Sequence, residues 1–329
     1  MRTELTLPAP SGFRFLSTVN SHGWCVLAPF SYDEAAQTLA TIYRLRGGDV
    51  VRLDVRAGNG DVRIGVDGLT GAPQPETAAE LGAVVGRVLG FGQDVRAFYQ
   101  IAASVPGYDW IEPIGAGRML VSPTVWEDLA KTLLTTNTTW SMTKLMVSRL
   151  AALGEPFGGG GHVPGVGRAA RSQPEGPPHS GDHAFPTPER IAALAPDALN
   201  AHVRAGYRGA YLHALALAIA EGHLDPDSLR DPGHSDADVY KRLKSIKGFG
   251  DYAAGAMSRL LGRFDALGLD SVCRAMCKAR FNGGAPASDA EIAAHYAPFG
   301  PWRGLAVWMD VMREDLLPAS GTPGDWITG

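Results

Sequence analysis

The chain has 329 residues with a formal net charge of −4, and 45% of the residues are hydrophobic and 19% charged. These values are ordinary for a soluble globular protein, and the length suits two domains. They argue against a protein that coats nucleic acid over its whole surface, and no apolar run is long enough to predict a membrane span.

Most of the first 70 residues read as β-structure. The strand-like runs are FRFLS (13–17), GWCVLAP (23–29), DVVRLDVRA (49–57) and DVRIGVDG (61–68). The run AGNGD between the last two is typical of a hairpin turn. Between the second and third runs, SYDEAAQTLATIYRL reads as a helix, because Ser31 can cap it and Glu34 follows three residues later. We therefore predict an N-terminal antiparallel sheet domain, residues 1–120, with flanking helices.

The pattern becomes helical from about residue 76. Helical periodicity is found at 76–90, 94–104, 123–153, 187–195, 207–222, 236–246, 251–262, 270–280, 288–296 and 303–315. The segment 154–183 is dense in Gly and Pro without periodicity, which predicts a flexible surface insertion. The predicted fold class is α+β: the sheet domain is followed by a mostly α-helical domain pair, residues 121–329.

A glycine turn joins two of these helices. In KGFG, Gly248 and Gly250 allow positive φ and close approach of another backbone, and the amides that start the second helix suit a phosphate. Residues 241–281 carry nine basic and three acidic side chains. Such a basic segment suits a phosphate backbone. The alternatives are a solvated helix face for the basic residues and a plain helical corner for the glycine turn.

The hairpin and a later acid together resemble a known motif. IKGFG followed by LGLDS resembles the motif of the helix–hairpin–helix (HhH-GPD) DNA glycosylases. The segments 126–150, 205–219 and 296–308 also resemble the 3-methyladenine DNA glycosylase II and 8-oxoguanine DNA glycosylase branches. The resemblance covers about residues 10–315, including the sheet domain.

The resemblance implies one catalytic carboxylate, Asp270, which would stabilise the positive charge that develops on the sugar. A helix N-cap is the alternative role for Asp270. The position of the nucleophilic lysine of the bifunctional branches is occupied by Tyr252, which cannot form a Schiff base. We therefore expect a monofunctional enzyme that leaves an abasic site.

The resemblance also implies contacts to DNA, a base pocket and a cation site. Expected DNA contacts are Gly248, Gly250, Lys247, Asp251, Arg274 and Lys278, with Asn137 and Arg208 reaching the orphaned partner base. Expected aromatic walls of the base pocket are Trp140, Tyr252, Phe299 and Trp302, each of which could instead be a core residue. The carbonyls of Lys244, Ile246 and Phe249 would bind a structural Na, K or Ca ion, and no cofactor is required.

The expected partner is double-stranded DNA that contains a damaged base. Tyr252 and the 296–308 segment favour alkylated bases, whereas Asn137 and the Tyr207–Arg208 pair favour 8-oxoguanine. A non-catalytic lesion-binding protein is a further alternative. Three cysteines are too few for a disulfide framework, and the N-terminus lacks a signal-peptide pattern. We expect a cytoplasmic monomer, associated with the nucleoid if the source is bacterial.

Overall fold

The computed structural model describes residues 2–158 and 182–317. The N-terminal part contains a five-stranded sheet in the order β1-β5-β4-β3-β2, with every neighbouring pair antiparallel. The strands are β1 Thr3–Pro8, β2 Ser31–Asp33, β3 Thr38–Arg44, β4 Val50–Ala57 and β5 Asp61–Asp67. The sequence of β4 alternates between apolar and polar side chains, as expected for a strand with one face on the core. Val51, Leu53 and Val55 are buried, and the residues between them are partly exposed. The predicted antiparallel sheet is confirmed.

The helix predicted from Ser31 is wrong. This segment forms β2 and β3, joined by a tight turn in which Gln37 has a φ of +47°. The Asp33 carboxylate accepts a hydrogen bond from the Ala36 N–H at 2.9 Å, so this side chain closes a turn where a helix would continue. The apparent capping pattern therefore marks a β-turn.

Two predicted strands are also wrong. Phe15–Val19 forms helix α1, and Gly23–Val26 forms a short 3₁₀ helix. Both segments are short and apolar, and periodicity alone does not separate a strand from a buried helical turn in such runs. Strand β1 was not predicted.

The regular elements after β5 in the described residues are helical, as predicted, and this arrangement confirms the α+β fold class. The helices are α2 Pro75–Val88, α3 Arg96–Ser104, α4 Val125–Thr135, α5 Trp140–Ala151, α6 Pro188–Ala192, α7 Pro196–Val203, α8 Tyr207–Ala220, α9 Asp236–Ser245, α10 Asp251–Leu260, α11 Ser271–Arg280, α12 Asp289–Tyr296 and α13 Arg303–Leu316. The predicted helix at 123–153 is two helices, and α7 was not predicted. None of the helices in the described ranges has the length and apolar character needed to cross a bilayer.

The predicted insertion lies mostly outside the described residues. Its two ends are in contact, because the Phe157 N–H donates to the Asp182 carbonyl at 2.7 Å and Pro156 pairs with His183. The Glu155 carboxylate pairs with Arg44 at 2.8 Å, which attaches the first end to β3.

The sheet part and the helical part share one apolar core, and buried polar contacts join them. The Trp24 indole N–H donates to the Asp128 carboxylate of α4 at 2.8 Å. The buried Lys131 ammonium donates to Glu127 at 2.7 Å and lies 3.5 Å from the Leu27 carbonyl. These contacts hold the segment 22–27 against α4. The sheet part therefore contributes to the region where α4 and α10 meet.

Candidate active site and hairpin

The two hairpin glycines have different physical roles. Gly248 has a φ of +97°, and a Cβ there would lie 2.6 Å from a methyl carbon of Leu133 and 2.8 Å from the Tyr211 ring. Gly248 is therefore required by both conformation and packing. Gly250 has a φ of −80°, and a Cβ there would meet no described atom within 4 Å. The bare backbone at Gly250 instead leaves an open surface at the first turn of α10.

The charges around the hairpin are partly paired. Asp251 accepts hydrogen bonds from the Lys244 ammonium at 2.6 Å and the Tyr240 hydroxyl at 2.8 Å, and these bonds lower the pKa of Asp251. The exposed Lys247 ammonium lies 5.0 Å from the centre of the Tyr211 ring. Lys247 thus keeps its charge available to an anion near Gly250.

The carbonyls expected to bind a cation have lone pairs available. The Ile246 carbonyl accepts one hydrogen bond, from the Phe249 N–H at 3.0 Å. No backbone N–H outside α9 and α10 in the described chain donates to the carbonyl of Lys244 or Phe249. Carbonyl oxygens suit hard cations, so these residues fit the expected ion, which stays a prediction.

Asp270 caps helix α11. Its Oδ1 accepts the Cys273 N–H at 2.7 Å, which is an N-cap contact. The side chain is half-buried, and Oδ2 accepts no hydrogen bond from any described residue. The cap thus fixes the carboxylate while one oxygen remains available to a ligand.

The loop that precedes Asp270 packs closely against α10. A Cβ on Gly255 of α10 would lie 2.7 Å from the Gly268 nitrogen and closer still to the Gly268 Cα. The Arg259 guanidinium donates to the Leu267 carbonyl at 2.8 Å. The Gly304 N–H donates to the Phe264 carbonyl at 2.7 Å. These contacts position Asp270 relative to α10 and α13.

Tyr252 lies on the first turn of α10 and within range of the Asp270 charge. Its hydroxyl donates to Thr135 Oγ1 at 3.2 Å, at the end of α4. Burial raises the pKa of Tyr252, and the nearby Asp270 carboxylate raises it further. The phenol therefore stays neutral at the position where an amine would be needed for imine chemistry.

Arg259 is a buried cation near this pair that the sequence prediction missed. The residue is 2% exposed, and its guanidinium lies 5.0 Å from the centre of the Trp308 ring. Burial lowers the pKa of Arg259, whereas the neighbouring side chains of Cys273, Tyr252 and Asp270 act in the opposite direction. The feature of the sequence that could have indicated a buried arginine is its position in the otherwise apolar run AAGAMSRLL.

Trp140 is exposed at the start of α5 and contacts the N-terminal part. Its side chain is 41% exposed, and a Cβ on Gly23 would lie 2.7 Å from its ring. Burial lowers the pKa of the adjacent His22 to about 4, and its Nε2 donates to the Leu120 carbonyl at 2.6 Å. The segment 22–26, which carried no recognisable motif, thus borders Trp140.

The structure does not place the other two predicted pocket aromatics at this site. Phe299 is fully buried and packs edge-on against Tyr108 at a centroid distance of 4.7 Å, so it has no face for a base. Trp302 stacks on Phe264 at 5.1 Å and lines a separate cleft of about 370 Å³. The prediction for Phe299 is wrong because its ring is enclosed in the core. The pocket role of Trp302 stays a prediction, because its side chain is only partly buried.

Asn137 and Arg208 are neighbours, but only Asn137 is exposed. Asn137 is exposed with a φ of +46°, and its amide donates to the Tyr207 hydroxyl at 3.1 Å. Arg208 is buried and donates to the carbonyls of Thr136 and Asn137, each at 2.6 Å. The base contact of Arg208 stays a prediction, and without DNA its donors hold the turn that presents Asn137.

The remaining predicted DNA contacts lie on α11. Arg274 is exposed and forms an ion pair with Asp289, which raises the pKa of Arg274. Lys278 is exposed one turn further along. A cleft of about 660 Å³ lies between α9, α10 and α12, and its lining includes Asp251, Arg274 and Leu269, the residue before Asp270.

The chain is similar in fold to solved DNA glycosylase structures. MBOgg1 in complex with a low-affinity DNA ligand is 18% identical, with a TM-score of 0.68 over 95% of this chain and 96% of that chain. The 8-oxoguanine glycosylase/lyase of Clostridium acetobutylicum in its apo-form is 16% identical, with a TM-score of 0.65 over 94% and 97%. The 3-methyladenine DNA glycosylase of Archaeoglobus fulgidus is 15% identical, with a TM-score of 0.65 over 95% and 97%.

No protein-family model and no curated protein sequence matches the chain. The fold that the sequence resemblance implied is confirmed by the structures. The chain has the fold of these solved DNA glycosylase structures.

Proposed function

We propose that the protein is a monofunctional DNA glycosylase that flips a damaged base out of duplex DNA and hydrolyses its N-glycosidic bond. The observation that carries this proposal is the placement of Asp270, fixed as an N-cap at the end of a loop that packs against α10, with no described N–H or O–H donor on its second oxygen. Solved structures of the same fold support it, since the Clostridium acetobutylicum 8-oxoguanine glycosylase/lyase has also been solved in complex with double-stranded DNA that contains cytosine opposite 8-oxoguanine.

The proposed chemistry requires a carboxylate near the sugar. Departure of the base makes the sugar oxocarbenium-like, and the negative charge of Asp270 stabilises this state. The free Oδ2 can orient a water molecule for attack on the sugar carbon. The open backbone at Gly250, with Lys247 nearby, would receive a phosphate of the same strand.

The monofunctional assignment rests on Tyr252 and on the surroundings of the nearest lysines. Tyr252 has no amine with which to form an imine. Of the hairpin lysines, Lys244 is paired with Asp251, and the exposed Lys247 is assigned to a phosphate. The proposed product is an intact strand that carries an abasic site.

Two substrate classes fit the site. Tyr252 and the exposed Trp140 favour alkylated bases, because an aromatic wall can stack on a flipped base. The contact between Asn137 and Tyr207 supports an 8-oxoguanine-type enzyme, because it orders an exposed amide that could read an orphaned base. In both cases the proposed protein acts as a monomer on damaged double-stranded DNA without a required cofactor.

The test compares two substitutions at Asp270. Asp270→Asn should lower base release by orders of magnitude while it keeps the cap and the melting temperature, because Asn caps helices as well as Asp. Asp270→Ala should lose the same activity and also about 1 kcal/mol of stability, because it removes the cap. Alkali-revealed strand breaks in lesion-bearing duplex measure base release. Near-normal release by Asp270→Asn would contradict the proposed role.

A further inference from the structure

Arg259 is a buried charge without an adjacent counter-ion. It is 2% exposed, its described hydrogen bond goes to the Leu267 carbonyl, and Trp308 covers the guanidinium at 5.0 Å. Within the described chain, no carboxylate oxygen pairs with it at 4.0 Å or less. A guanidinium stays protonated in proteins, and a buried charge that lacks a partner is costly. A Met or Leu would fill this position without that cost.

The surroundings of Arg259 place it at the inner end of the candidate active site. Arg259 follows Tyr252 by about two turns of α10, and its guanidinium donates a hydrogen bond to the Leu267 carbonyl in the loop that leads to Asp270. Its charge lowers the pKa of Tyr252, against the larger effect of burial. Asp270 is half-buried and is followed by exposed residues, including Val272, which is 56% exposed. Asp270 is therefore nearer to the surface than Arg259, which is almost fully buried.

We propose that Arg259 makes the site selective for damaged bases that are neutral, against N-alkylated bases that carry a positive charge. This inference rests on the glycosylase function proposed above. A nucleotide that enters from the DNA surface places its sugar near Asp270 and its base further inside, towards the guanidinium. Asp270 and Arg259 then present opposite charges to the two ends of the bond that breaks.

The direction of electron flow explains the selectivity. The bond between C1′ of the sugar and the base nitrogen breaks with its electron pair going to the nitrogen, and a water oxygen then bonds to C1′ and releases a proton to solvent. A neutral base becomes negative as it leaves, until it takes a proton from solvent. Arg259 stabilises that negative charge. A cationic base leaves as a neutral molecule and is repelled by Arg259 while it is still bound.

The positive charge of Arg259 repels cationic alkylated purines, whereas a cation–π contact with an aromatic wall would attract them. Neutral alkyl adducts remain within the proposed class, together with oxidised purines. The inference therefore divides the candidate substrates by charge, and it does not separate alkylation from oxidation.

The experiment measures base release from three duplexes, which contain 8-oxoguanine, 1,N6-ethenoadenine or 7-methylguanine. Each rate is divided by the spontaneous loss of the same base, because the cationic 7-methylguanine leaves readily without an enzyme. We expect the wild type to give a larger enhancement for at least one neutral base than for 7-methylguanine. Arg259→Met should lower the ratio of neutral to cationic enhancement by about tenfold or more, whereas Arg259→Lys, which retains the charge, should keep the preference.

The outcomes separate this inference from the proposed function. Release of none of the bases overturns both. Release with the greatest enhancement for 7-methylguanine, or an unchanged ratio in folded Arg259→Met, overturns the role of Arg259 and leaves the glycosylase function standing. If Arg259→Met does not fold, the wild-type ratio decides the question.

Discussion

The contact between Gly255 and Gly268 should control the rate of base release, although neither residue would touch DNA. A Cβ at Gly255 would lie 2.7 Å from the Gly268 nitrogen, whereas ordinary contacts begin at 3.4 Å. Because both sides are backbone, Gly255→Ala must displace the loop before Asp270 by roughly 1 Å in a close-packed interior. A catalytic group misplaced by this amount can lose about 100-fold in rate. We expect base release by Gly255→Ala to fall by that order.

The assay for Gly255→Ala is single-turnover base release from lesion-bearing duplex, with binding to the same duplex measured in parallel. Overpacking costs about 1–3 kcal/mol, and Ala recovers about 1 kcal/mol of helix propensity, so the melting temperature should fall by a few degrees at most. Gly82→Ala in α2 is the matched control, because its Cβ would lie 3.7 Å from a Leu7 methyl carbon, an ordinary contact. Release by folded Gly255→Ala within about threefold of the wild type would refute the reasoning.

Three other predictions concern the hairpin, the product and the insertion. Gly250→Val should weaken binding to damaged and undamaged duplex alike, with a stability cost below about 1 kcal/mol. Gly248→Ala should instead lower the melting temperature, because Gly248 has a φ of +97° and a Cβ there would collide with Leu133. Unchanged binding by Gly250→Val would remove the hairpin from the DNA contacts. Borohydride should trap no covalent complex with the wild type, because Tyr252 supplies no amine; efficient trapping would show a lyase. Replacement of 159–181 by a short Gly–Ser linker should preserve melting temperature and activity, because the two ends are already joined at 2.7 Å by Phe157 and Asp182; a loss of folding would contradict this prediction.

The sequence by itself was sufficient for the features that are local along the chain. The two hairpin helices, the glycine turn and the cap at Asp270 lie within 35 residues, and each has a short-range signal in periodicity, turn chemistry or capping. The substitution of Tyr252 for lysine is also a property of one position. These features defined the expected fold and the proposed chemistry before any contact was known.

The helix wrongly predicted from Ser31 shows how a local pattern can mislead. Residues 31–45 satisfy a capping pattern, but the Asp33 carboxylate closes a turn and the sheet supplies partners for β3. Propensity and capping are weak preferences, and pairing with distant strands overrides them.

Only the tertiary structure decided which side chains meet at the candidate active site. Periodicity indicates that a residue is buried but not which element covers it. Phe299 and Trp140 were therefore equally good candidates for the base pocket in the sequence, but the structure buries Phe299 in the core and leaves Trp140 41% exposed. Arg208 and Arg259 look like surface arginines in the sequence, yet each is buried by elements far away along the chain. The pKa and the pairing of such an arginine depend on its burial and on the charges around it. Both are set by how distant helices pack together, which no short-range sequence pattern specifies.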